Sequence, residues 1–336
     1  MKPSKQRSRG RAALEAGAAV LVALGLDVLG EPPAAWHPVV WYGRLVQRLE
    51  QAAPQGHVPQ LLYGVVMLAL AAPAAFLPAA IVHWLAERVQ AEARQHGCPS
   101  SGLILYALLE GIGLKPFFAL RMLADAGRSV RLSLEQGDLP AARDALQSLV
   151  SRDRSELTAE LAGAAAIESL AENLSDSIVA PLLYYTLFGL PGAAAYRLFN
   201  TFDSIVGYHG QYEYLGKAAA GLDDVLNAFP ARLTALLIIA LAPLFGGNRF
   251  TAWQIWRRDA HRTASPNAGH PMAAAAGALG LQLEKVGHYR LGDNEKVITA
   301  SSVRQAERMV WSIGCVVVFL TAVVKTFWSC SVWVTE

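Results

Sequence analysis

Residues 61–85, LLYGVVMLALAAPAAFLPAAIVHWL, decide the fold class. This run contains no Asp, Glu, Lys or Arg. At about 1.5 Å of rise per residue, a helix of this length exceeds the roughly 30 Å hydrocarbon core of a bilayer. Pro73 and Pro78 predict kinks, which membrane helices tolerate because neighbouring groups satisfy the freed backbone. We therefore predict a transmembrane helix over this run.

The rest of the chain also has the composition of a membrane protein. Of its 336 residues, 17% are charged, against about 25% in soluble domains, and no strand-like alternation of convincing length occurs. The sequence predicts an all-α, polytopic integral membrane protein with re-entrant or broken helices and cytoplasmic amphipathic helices. We expect a basic tail over 1–11 and a single membrane-embedded catalytic domain over 12–336. The predicted membrane segments are 12–29, 61–85, 103–123, 178–199, 231–247 and 309–328.

Three of these segments need comment. Residues 178–199 are interrupted by the sequence GLPG at 189–192, and 231–247 is short. Because a spanning helix needs about 20 apolar residues, we expect both to be re-entrant, with their polar ends converging on one cytoplasm-facing cavity. The basic tail before 12–29 resembles the start of a signal peptide, but no convincing cleavage site follows. A retained segment that starts in the cytoplasm is therefore favoured.

Several classes of function are not indicated. The net charge is only +2, so the charge balance gives no argument for nucleic-acid binding. The 3 cysteines, at positions 98, 315 and 330, have neither zinc-ligand nor disulfide-framework spacing. No GxxxxGK[ST], GxSxG, HExxH or GxGxxG motif is present. A nucleotide would have to bind through an unfamiliar arrangement.

The first polar cluster is a set of acids next to an apolar run. Glu168, Glu172 and Asp176 are spaced at i, i+4 and i+8, so they are predicted to share one helix face. Like charges at this spacing repel each other. A metal ion, a cationic partner or a bound proton would relieve the repulsion. The alternative is an ordinary acidic face exposed to solvent.

A second group of acids and amides lies further along the chain. Asp223 and Asp224 are adjacent and Asn227 follows one turn later, which supplies the hard oxygen ligands that Mg²⁺ takes. Arg232 could hold a phosphate through two hydrogen bonds. The alternative is a helix cap for the apolar run from Leu233, with an arginine that extends to the interface.

Two further clusters are weaker on their own. Asn200 and Asp203 are predicted to share a helical face, although helix capping at the membrane surface would also explain them. The loop Ser265–Gly269 is rich in Pro and Gly, and the backbone amides at the following helix start suit an anion. His37 and His270 each precede a proline, and isolated histidines are more often structural than catalytic.

These residues lie in stretches that resemble the CobD/CbiB type of adenosylcobinamide-phosphate synthase, a membrane family of cobalamin biosynthesis. The matching stretches occur in order over most of the chain. They are residues 26–44, 151–153, 167–181, 189–193, 200–208, 222–234, 265–280 and 283–285. Phe202 stands where the family usually has Leu or Val, and Gly221 stands where it usually has Arg. If that Arg grips phosphate in relatives, this chain lacks the contact.

The resemblance implies an acid–amine ligase. A carboxylate of adenosylcobyric acid would condense with (R)-1-aminopropan-2-ol or its O-phosphate, giving adenosylcobinamide or its phosphate. ATP would supply the driving force and Mg²⁺ would accompany the nucleotide. Cobalt would enter only within the corrinoid substrate. The expected partners are the corrinoid, the amino alcohol, the lipid bilayer and possible other enzymes of the pathway, with no nucleic acid.

From the chemical groups that this reaction needs, we infer roles for the clusters. Glu168, Glu172 and Asp176 are expected to bind the ammonium group or act as base. Asp203, Asp223 and Asp224 are expected to bind Mg²⁺ with its phosphates. The residues expected to bind substrate or phosphate are Asn173, Asn200, Asn227, Arg232, Ser265, Asn267, Gly269 and His37.

Because ATP is cytoplasmic, we expect a multi-pass protein of the cell (inner, cytoplasmic) membrane with its active site facing the cytoplasm. Two other functions stay open. A non-catalytic carrier or scaffold for corrinoid intermediates fits the lack of a known nucleotide motif. A metal-dependent hydrolase is disfavoured because the chain lacks His/Asp ligand spacing.

Overall fold

The computed structural model describes residues 17–150, 152–208, 210 and 212–331, with side chains up to Phe327. The basic tail predicted over 1–11 lies outside this range. The described residues are mainly helical. The α-helices are α1 (Gly17–Leu29), α2 (Pro38–Gln51), α3 (His57–Gln95), α4 (Pro99–Leu114), α5 (Leu120–Glu135), α6 (Leu139–Ala145), α7 (Ala159–Leu174), α8 (Ala180–Val206), α9 (Lys217–Leu241), α10 (Arg249–Asp259), α11 (Gly269–Leu279) and α12 (Ala300–Ser331).

Five helical stretches in the described part of the chain are long and apolar enough to cross a membrane. They are His57–Gln95, Pro99–Glu135, Ala159–Val206, Lys217–Phe245 and Ala300–Phe327. The prediction of an all-α polytopic membrane protein is therefore confirmed. The predicted segments 61–85, 103–123 and 309–328 lie almost entirely within three of these stretches. Of the predicted segment 12–29, the structure describes the apolar helix α1, which is shorter than a full span.

The two segments predicted to be re-entrant differ in outcome. The break in 178–199 is confirmed, because Gly189 has φ 67° and ψ −161° inside α8, and Pro191 follows it. Glycine adopts this backbone conformation without the strain that a Cβ would cause. The short length predicted for 231–247 is wrong, because the acid-rich residues before it are helical and extend the stretch to 29 residues. The re-entrant placement of both segments stays a prediction.

Contacts between Cα atoms divide the chain into two compact units. Unit 1 comprises Met1–Ala119, Pro181–Val225 and Val317–Glu336, and unit 2 comprises Leu120–Ala180 and Leu226–Val316. The prediction of one catalytic domain over 12–336 stays a prediction. In unit 1, α3 packs along α4, and Gly111 of α4 lies against α1, where an added Cβ would come within 2.8 Å of the Ala19 carbonyl oxygen.

Unit 2 has a core of small side chains. All eleven residues of α11 are buried, and α7 buries a run of alanines from Ala164 to Ala166. Small side chains let α10, α11 and α7 approach closely: a Cβ on Gly277 would lie 2.6 Å from the Thr251 carbonyl oxygen. An antiparallel hairpin of β1 (Leu283–Lys285) and β2 (Tyr289–Leu291) adjoins α7, with Lys285 paired to Tyr289. This hairpin is an addition to the all-α prediction.

Candidate active site

A small polar pocket in unit 2 contains two of the three acids predicted to be catalytic. Its volume is about 140 Å³. Glu168 is 5% exposed, and its Oε2 accepts a hydrogen bond from Arg152 Nη2 at 3.1 Å. We call this cavity the Glu168 pocket. Its lining residues are Leu149, Val150, Arg152, Ala165, Glu168, Ser169, Glu172, Lys285 and Tyr289.

Local structure explains how three separate segments meet at the Glu168 pocket. Thr158 caps α7, since its Oγ1 accepts a hydrogen bond from the Leu161 N–H at 3.2 Å. Glu168 and Glu172 follow on α7, one turn apart. The hairpin register places Lys285 opposite Tyr289, so both reach the pocket from neighbouring strands. The pocket therefore brings two acids and two cations, Arg152 and Lys285, to one place.

Tyr289 gives the Glu168 pocket a neutral hydroxyl group. Burial raises the pKa of Tyr289 well above its ordinary value, and the nearby carboxylates of Glu168 and Glu172 raise it further. The phenol therefore stays protonated at neutral pH and can donate a hydrogen bond to a bound anion or hydroxyl oxygen.

Asn173 supports the Glu168 pocket from outside its lining. Its Nδ2 donates to the carbonyl oxygen of Ser169 at 3.0 Å and to the Ser169 Oγ at 3.1 Å. Ser169 Oγ in turn donates to the Leu149 carbonyl oxygen at 2.6 Å. This chain fixes Ser169 and the segment that precedes Arg152.

Asp176 does not follow the other two acids into the pocket. The regular helix α7 ends at Leu174, and Asp176 lies in a π-helical turn, Ser175–Val179. A π turn changes the angular spacing of side chains, so the i, i+8 alignment expected from an α-helix is lost. Asp176 is partly buried and is not among the described lining residues. The catalytic role predicted for it stays a prediction.

In unit 1 the structure brings Asn200 and Asp223 together. Asn200 Nδ2 donates to Asp223 Oδ1 at 3.3 Å, and Arg197 Nη1 donates to Asn200 Oδ1 at 3.2 Å. The Asp203 carboxylate lies over Gly207, where any Cβ would collide with it. The residues predicted to bind Mg²⁺ thus lie on α8 and α9, with Asp224 next to Asp223.

The donor set of these residues fits a metal held together with a nucleotide. Among the residues that the structure describes, no three or more His, Cys, Asp or Glu side chains form a group able to hold a metal. Mg²⁺ usually takes one or two carboxylates, with substrate phosphates and water as its other ligands. Asp223 and Asp224 match that requirement, whereas the described residues do not form a cage made wholly of protein ligands.

Several residues predicted to bind phosphate meet in unit 2. Arg232 Nη1 donates to the Asn267 Oδ1 at 3.2 Å and to the Ala228 carbonyl oxygen at 2.6 Å. Ser265 Oγ accepts hydrogen bonds from the backbone N–H groups of Asn267 and Ala268, at 3.2 and 3.3 Å. The N–H groups of Asn267 and Ala268 are therefore already engaged in hydrogen bonds within the loop. The sequence had not indicated this.

Two more residues of this prediction, Gly269 and Asn227, are closely packed. Gly269 lies so close to the Ala260 carbonyl oxygen that a Cβ would collide with it, and Asn227 is buried on α9. The close approach at Gly269 explains why only glycine fits the start of α11. The phosphate contacts predicted for both residues stay predictions.

His37 begins α2 and belongs to an ion cluster in unit 1. Its Nδ1 accepts from the Val39 N–H at 3.2 Å, and its Nε2 lies 3.2 Å from Glu31 Oε2. The buried Lys115 Nζ contacts Glu31 Oε1 at 2.7 Å and Asp27 Oδ1 at 3.0 Å. Although burial opposes it, hydrogen bonds from His37 and Lys115 lower the pKa of Glu31. His37 thus acts here as a helix cap and as a hydrogen-bond donor to Glu31.

Next to this cluster lies a much larger cavity, of about 630 Å³. Its aromatic lining comprises Trp36, Trp41, Tyr42 and Phe117, and its charged lining comprises Glu31 and Lys115. We call it the apolar cavity. A site of this size and composition suits a bulky ligand with few polar groups.

Comparison with known proteins identifies the family. The model for the CobD/Cbib protein family matches residues 20–313. The chain belongs to the CobD/Cbib family. It is 43% identical over 312 residues to the cobalamin biosynthesis protein CobD of Dehalococcoides mccartyi, covering 91% of this chain and 96% of the relative. No solved structure matches the chain.

Two further relatives agree. The chain is 38% identical over 309 residues to a probable cobalamin biosynthesis protein CobD of Methanothermobacter thermautotrophicus, covering 90% of this chain and 97% of the relative. It is 39% identical over 329 residues to the cobalamin biosynthesis protein CobD of Geobacter metallireducens, covering 93% and 98%.

Sequence reasoning missed three members of the Glu168 pocket. Arg152 and Lys285 lie in stretches that resemble the family, yet no spacing rule connects them with Glu168. Tyr289 lies outside those stretches and reaches the pocket only because of the hairpin register. The need of a buried acid for a cationic partner predicts that such a cation exists, but it does not select Arg152 and Lys285 among the 29 Lys and Arg residues.

Proposed function

We propose that this protein acts in cobalamin biosynthesis as an ATP-dependent ligase. It joins a carboxylate of adenosylcobyric acid to (R)-1-aminopropan-2-ol or its O-phosphate through an amide bond. The observation that carries the proposal is the Glu168 pocket, in which two acids and two cations line a small volume in a chain of the CobD/Cbib family.

The Glu168 pocket suits the amino alcohol. Its volume of about 140 Å³ is too small for a corrin ring but large enough for a short amino alcohol or its phosphate. Glu168 and Glu172 can hold the ammonium group. Arg152, Lys285 and Tyr289 can donate hydrogen bonds to hydroxyl or phosphate oxygens.

The reaction needs an activated carboxylate and a neutral amine. The carboxylate oxygen of adenosylcobyric acid attacks the terminal phosphorus of ATP, and ADP leaves, which gives an acyl phosphate. A carboxylate of the Glu168 pocket accepts a proton from the ammonium group. The freed amine then attacks the acyl carbon, phosphate leaves with the bonding electron pair, and the second amine proton passes to the departing phosphate, which leaves a neutral amide.

The nucleotide is assigned to the acids of α8 and α9. Mg²⁺ supplies charge neutralisation at the ATP phosphates when it is bound. Asp223 and Asp224 would hold it, Asp203 is a further candidate ligand, and Asn200 orients Asp223 through the 3.3 Å hydrogen bond. Arg232 and the loop Ser265–Gly269 are assigned to phosphate oxygens.

The corrin macrocycle is assigned to the apolar cavity. The ring system is large and mostly apolar, with amide groups at its rim. Trp36, Trp41 and Tyr42 offer flat apolar surface, while Glu31 and Lys115 offer polar contacts at the wall. A membrane lipid is the competing occupant.

The localisation follows from the use of ATP. We assign the protein to the cell membrane with its active site facing the cytoplasm, where ATP is present. Single cysteines at Ser204 and Ser155 in a cysteine-free background test this. An impermeant reagent outside sealed cells should label neither position. Labelling of position 204 alone would require 178–199 to cross the membrane and would rule out the re-entrant arrangement.

Product analysis tests the function itself. Purified protein is incubated with adenosylcobyric acid, aminopropanol or its phosphate, and Mg-ATP, and the products are identified by mass spectrometry. The proposal expects an amide product and one ADP for each amide formed. A non-catalytic corrinoid carrier would bind adenosylcobyric acid without forming product or ADP.

A further inference from the structure

His270 of unit 2 is a buried histidine whose tautomer is fixed by its neighbour. The side chain is 4% exposed. Its Nδ1 lies 2.9 Å from Trp256 Nε1. An indole nitrogen can only donate, so His270 Nδ1 must be the acceptor and carry no proton. The neutral imidazole therefore carries its proton on Nε2.

None of the described residues accepts a hydrogen bond from the buried Nε2–H group of His270. Burial of a donor without an acceptor is costly, and such groups in native proteins call for an explanation. A bound ligand at this position would supply the acceptor that the described residues do not.

Two cationic or titratable neighbours, Arg232 and His261, act electrostatically on His270. The His261 ring packs edge-on against that of His270, at 5.2 Å between centroids. Burial, Arg232 and His261 together lower the pKa of His270 to about 4. The imidazole is therefore neutral under physiological conditions and stays a donor at Nε2 and an acceptor at Nδ1.

Arg232 reaches the same region through Asn267. Arg232 Nη1 donates to Asn267 Oδ1 at 3.2 Å, and the His270 N–H donates to the Asn267 carbonyl oxygen at 3.0 Å. His270 also lies in the first turn of the eleven-residue helix α11, whose N-terminal end carries partial positive charge. Every one of these features favours a negatively charged acceptor.

The geometry points to a phosphoryl-binding site in which the Nε2–H of His270 and the guanidinium of Arg232 bind oxygens of one phosphoryl group. Trp256 is a positioning residue, because it holds the tautomer that presents the proton. The source of the phosphoryl group rests on the proposed ligase function: it is either the nucleotide or the phosphorylated amino alcohol. Both present the same terminal phosphate chemistry.

Nuclear magnetic resonance on the full-length protein tests the site directly. The eight histidines are labelled with ¹⁵N, and the signal of His270 is assigned from its absence in His270→Gln. The expected spectrum shows the Nε2–H tautomer at neutral pH. Inorganic phosphate should move the Nε2–H signal, whereas acetate at the same concentration should not. A proton on Nδ1, or no movement with phosphate, would overturn the assignment.

Variants give a second readout. His270→Phe keeps a ring but removes the donor, and it should weaken binding of inorganic phosphate about tenfold. The matched control is His261→Phe, which removes the exposed neighbouring ring and should change binding less than twofold. Trp256→Phe removes the hydrogen bond that fixes the tautomer of His270, so part of the His270 signal should shift to the Nδ1–H form. Equal phosphate affinity in His270→Phe and wild type would refute the site. If His270→Phe does not fold, the wild-type titration decides.

Separate titrations with ATP and with aminopropanol O-phosphate identify the source. The ligand whose phosphoryl group occupies the site loses affinity in His270→Phe, and loss for neither ligand overturns the inference. The site and the ligase proposal fail separately. Phosphate binding through His270 without any amide product would refute the ligase function and leave the site standing. If His270→Phe formed product and bound phosphate as well as the wild type does, the site would be refuted and the ligase function would stand.

Discussion

The Glu168 pocket and the apolar cavity differ in size and in charge. The pocket encloses about 140 Å³, and four of its lining side chains are ionisable: Arg152, Glu168, Glu172 and Lys285. The cavity encloses about 630 Å³, and only Glu31 and Lys115 of its described lining are charged. A small pocket with balanced charges suits a small ionic substrate. A large apolar cavity gains binding energy from buried area and needs few polar contacts.

This contrast matches the two substrates that the proposed reaction joins. The amino alcohol is small and carries an ammonium group, and the corrinoid is large and mostly apolar. The contrast predicts that substitutions in the two regions affect different substrates. It also leaves the nucleotide to a third set of residues on α8 and α9.

The largest effect is expected at this third set of residues. Asp223→Asn together with Asp224→Asn should reduce amide formation about a thousandfold, because Mg²⁺-bound phosphate would lose its carboxylate ligands. Removal of Mg²⁺ with EDTA should abolish wild-type activity. Product formation is measured by chromatography, and correct insertion is checked by size exclusion in detergent.

Asp125→Asn is the matched control for the double variant. Asp125 forms an exposed ion pair with Arg121 at 3.2 Å and should be nearly neutral. If a well-folded Asp223/Asp224 double variant kept wild-type turnover, the nucleotide would have to bind elsewhere and the three-region division would fail.

The second effect concerns the small pocket. Glu172→Gln keeps the shape but removes a charge that holds the ammonium group or takes its proton, so amide formation should fall about a hundredfold. Corrinoid binding should be unchanged. The control is Glu156→Gln, an exposed acid outside the pocket. Equal and negligible effects of both substitutions would support an ordinary acidic surface.

The third effect concerns the apolar cavity. Ile112 lines it and is 57% exposed, so Ile112→Trp should narrow the cavity without disturbing the core. Corrinoid affinity, measured by quenching of tryptophan fluorescence, should fall about tenfold. The affinity for the amino alcohol should not change.

Ile104→Trp provides a matched control for Ile112→Trp. Ile104 lies on the same helix, α4, is also 57% exposed, and does not line the cavity. If both variants bound the corrinoid as wild type does, a lipid would be the better occupant of the cavity and the size contrast would lose its functional meaning.

The predicted and observed helices show which features of this protein depend only on the local sequence. Membrane helices such as α3 were predictable, because length and apolarity alone specify them. The break at Gly189 was predictable from its glycines and proline. The length of α9 was not, because its acid-rich first half looks like a cap or a loop when the flanking contacts are unknown.

The same distinction holds for the site. Glu168 and Glu172 were predictable as a pair, because helical spacing is local. Arg152, Lys285 and Tyr289 were not, because tertiary packing of the hairpin against α7 brings them in. Asp176 shows that helical spacing can also mislead. The π turn interrupts the regular α-helix on which the predicted i, i+8 alignment depends.

The smallest effect concerns the charged wall of the apolar cavity. Hydrogen bonds from His37 and Lys115 lower the pKa of Glu31 despite its burial. The ionised form is therefore favoured by folding. Its contribution is fully present above the unfolded pKa of about 4.5 and is lost as the pH falls below that value. The unfolding temperature should accordingly drop in this acidic range.

Glu31→Gln isolates that contribution. The variant should lose about 1 kcal/mol of the free energy of unfolding at neutral pH, since the contacts with His37 and Lys115 lose their charged acceptor while the Lys115–Asp27 ion pair at 3.0 Å remains. Its unfolding temperature should also fall less below pH 4.5 than that of the wild type. Thermal unfolding in detergent across this range measures both effects, with the exposed Glu92→Gln as control. If Glu31→Gln and wild type kept the same difference in stability from neutral to acidic pH, the Glu31 contacts would not stabilise the ionised form. Glu31 and Lys115 would then serve ligand binding and not stability. In that respect the apolar cavity would resemble the Glu168 pocket more than its composition suggests.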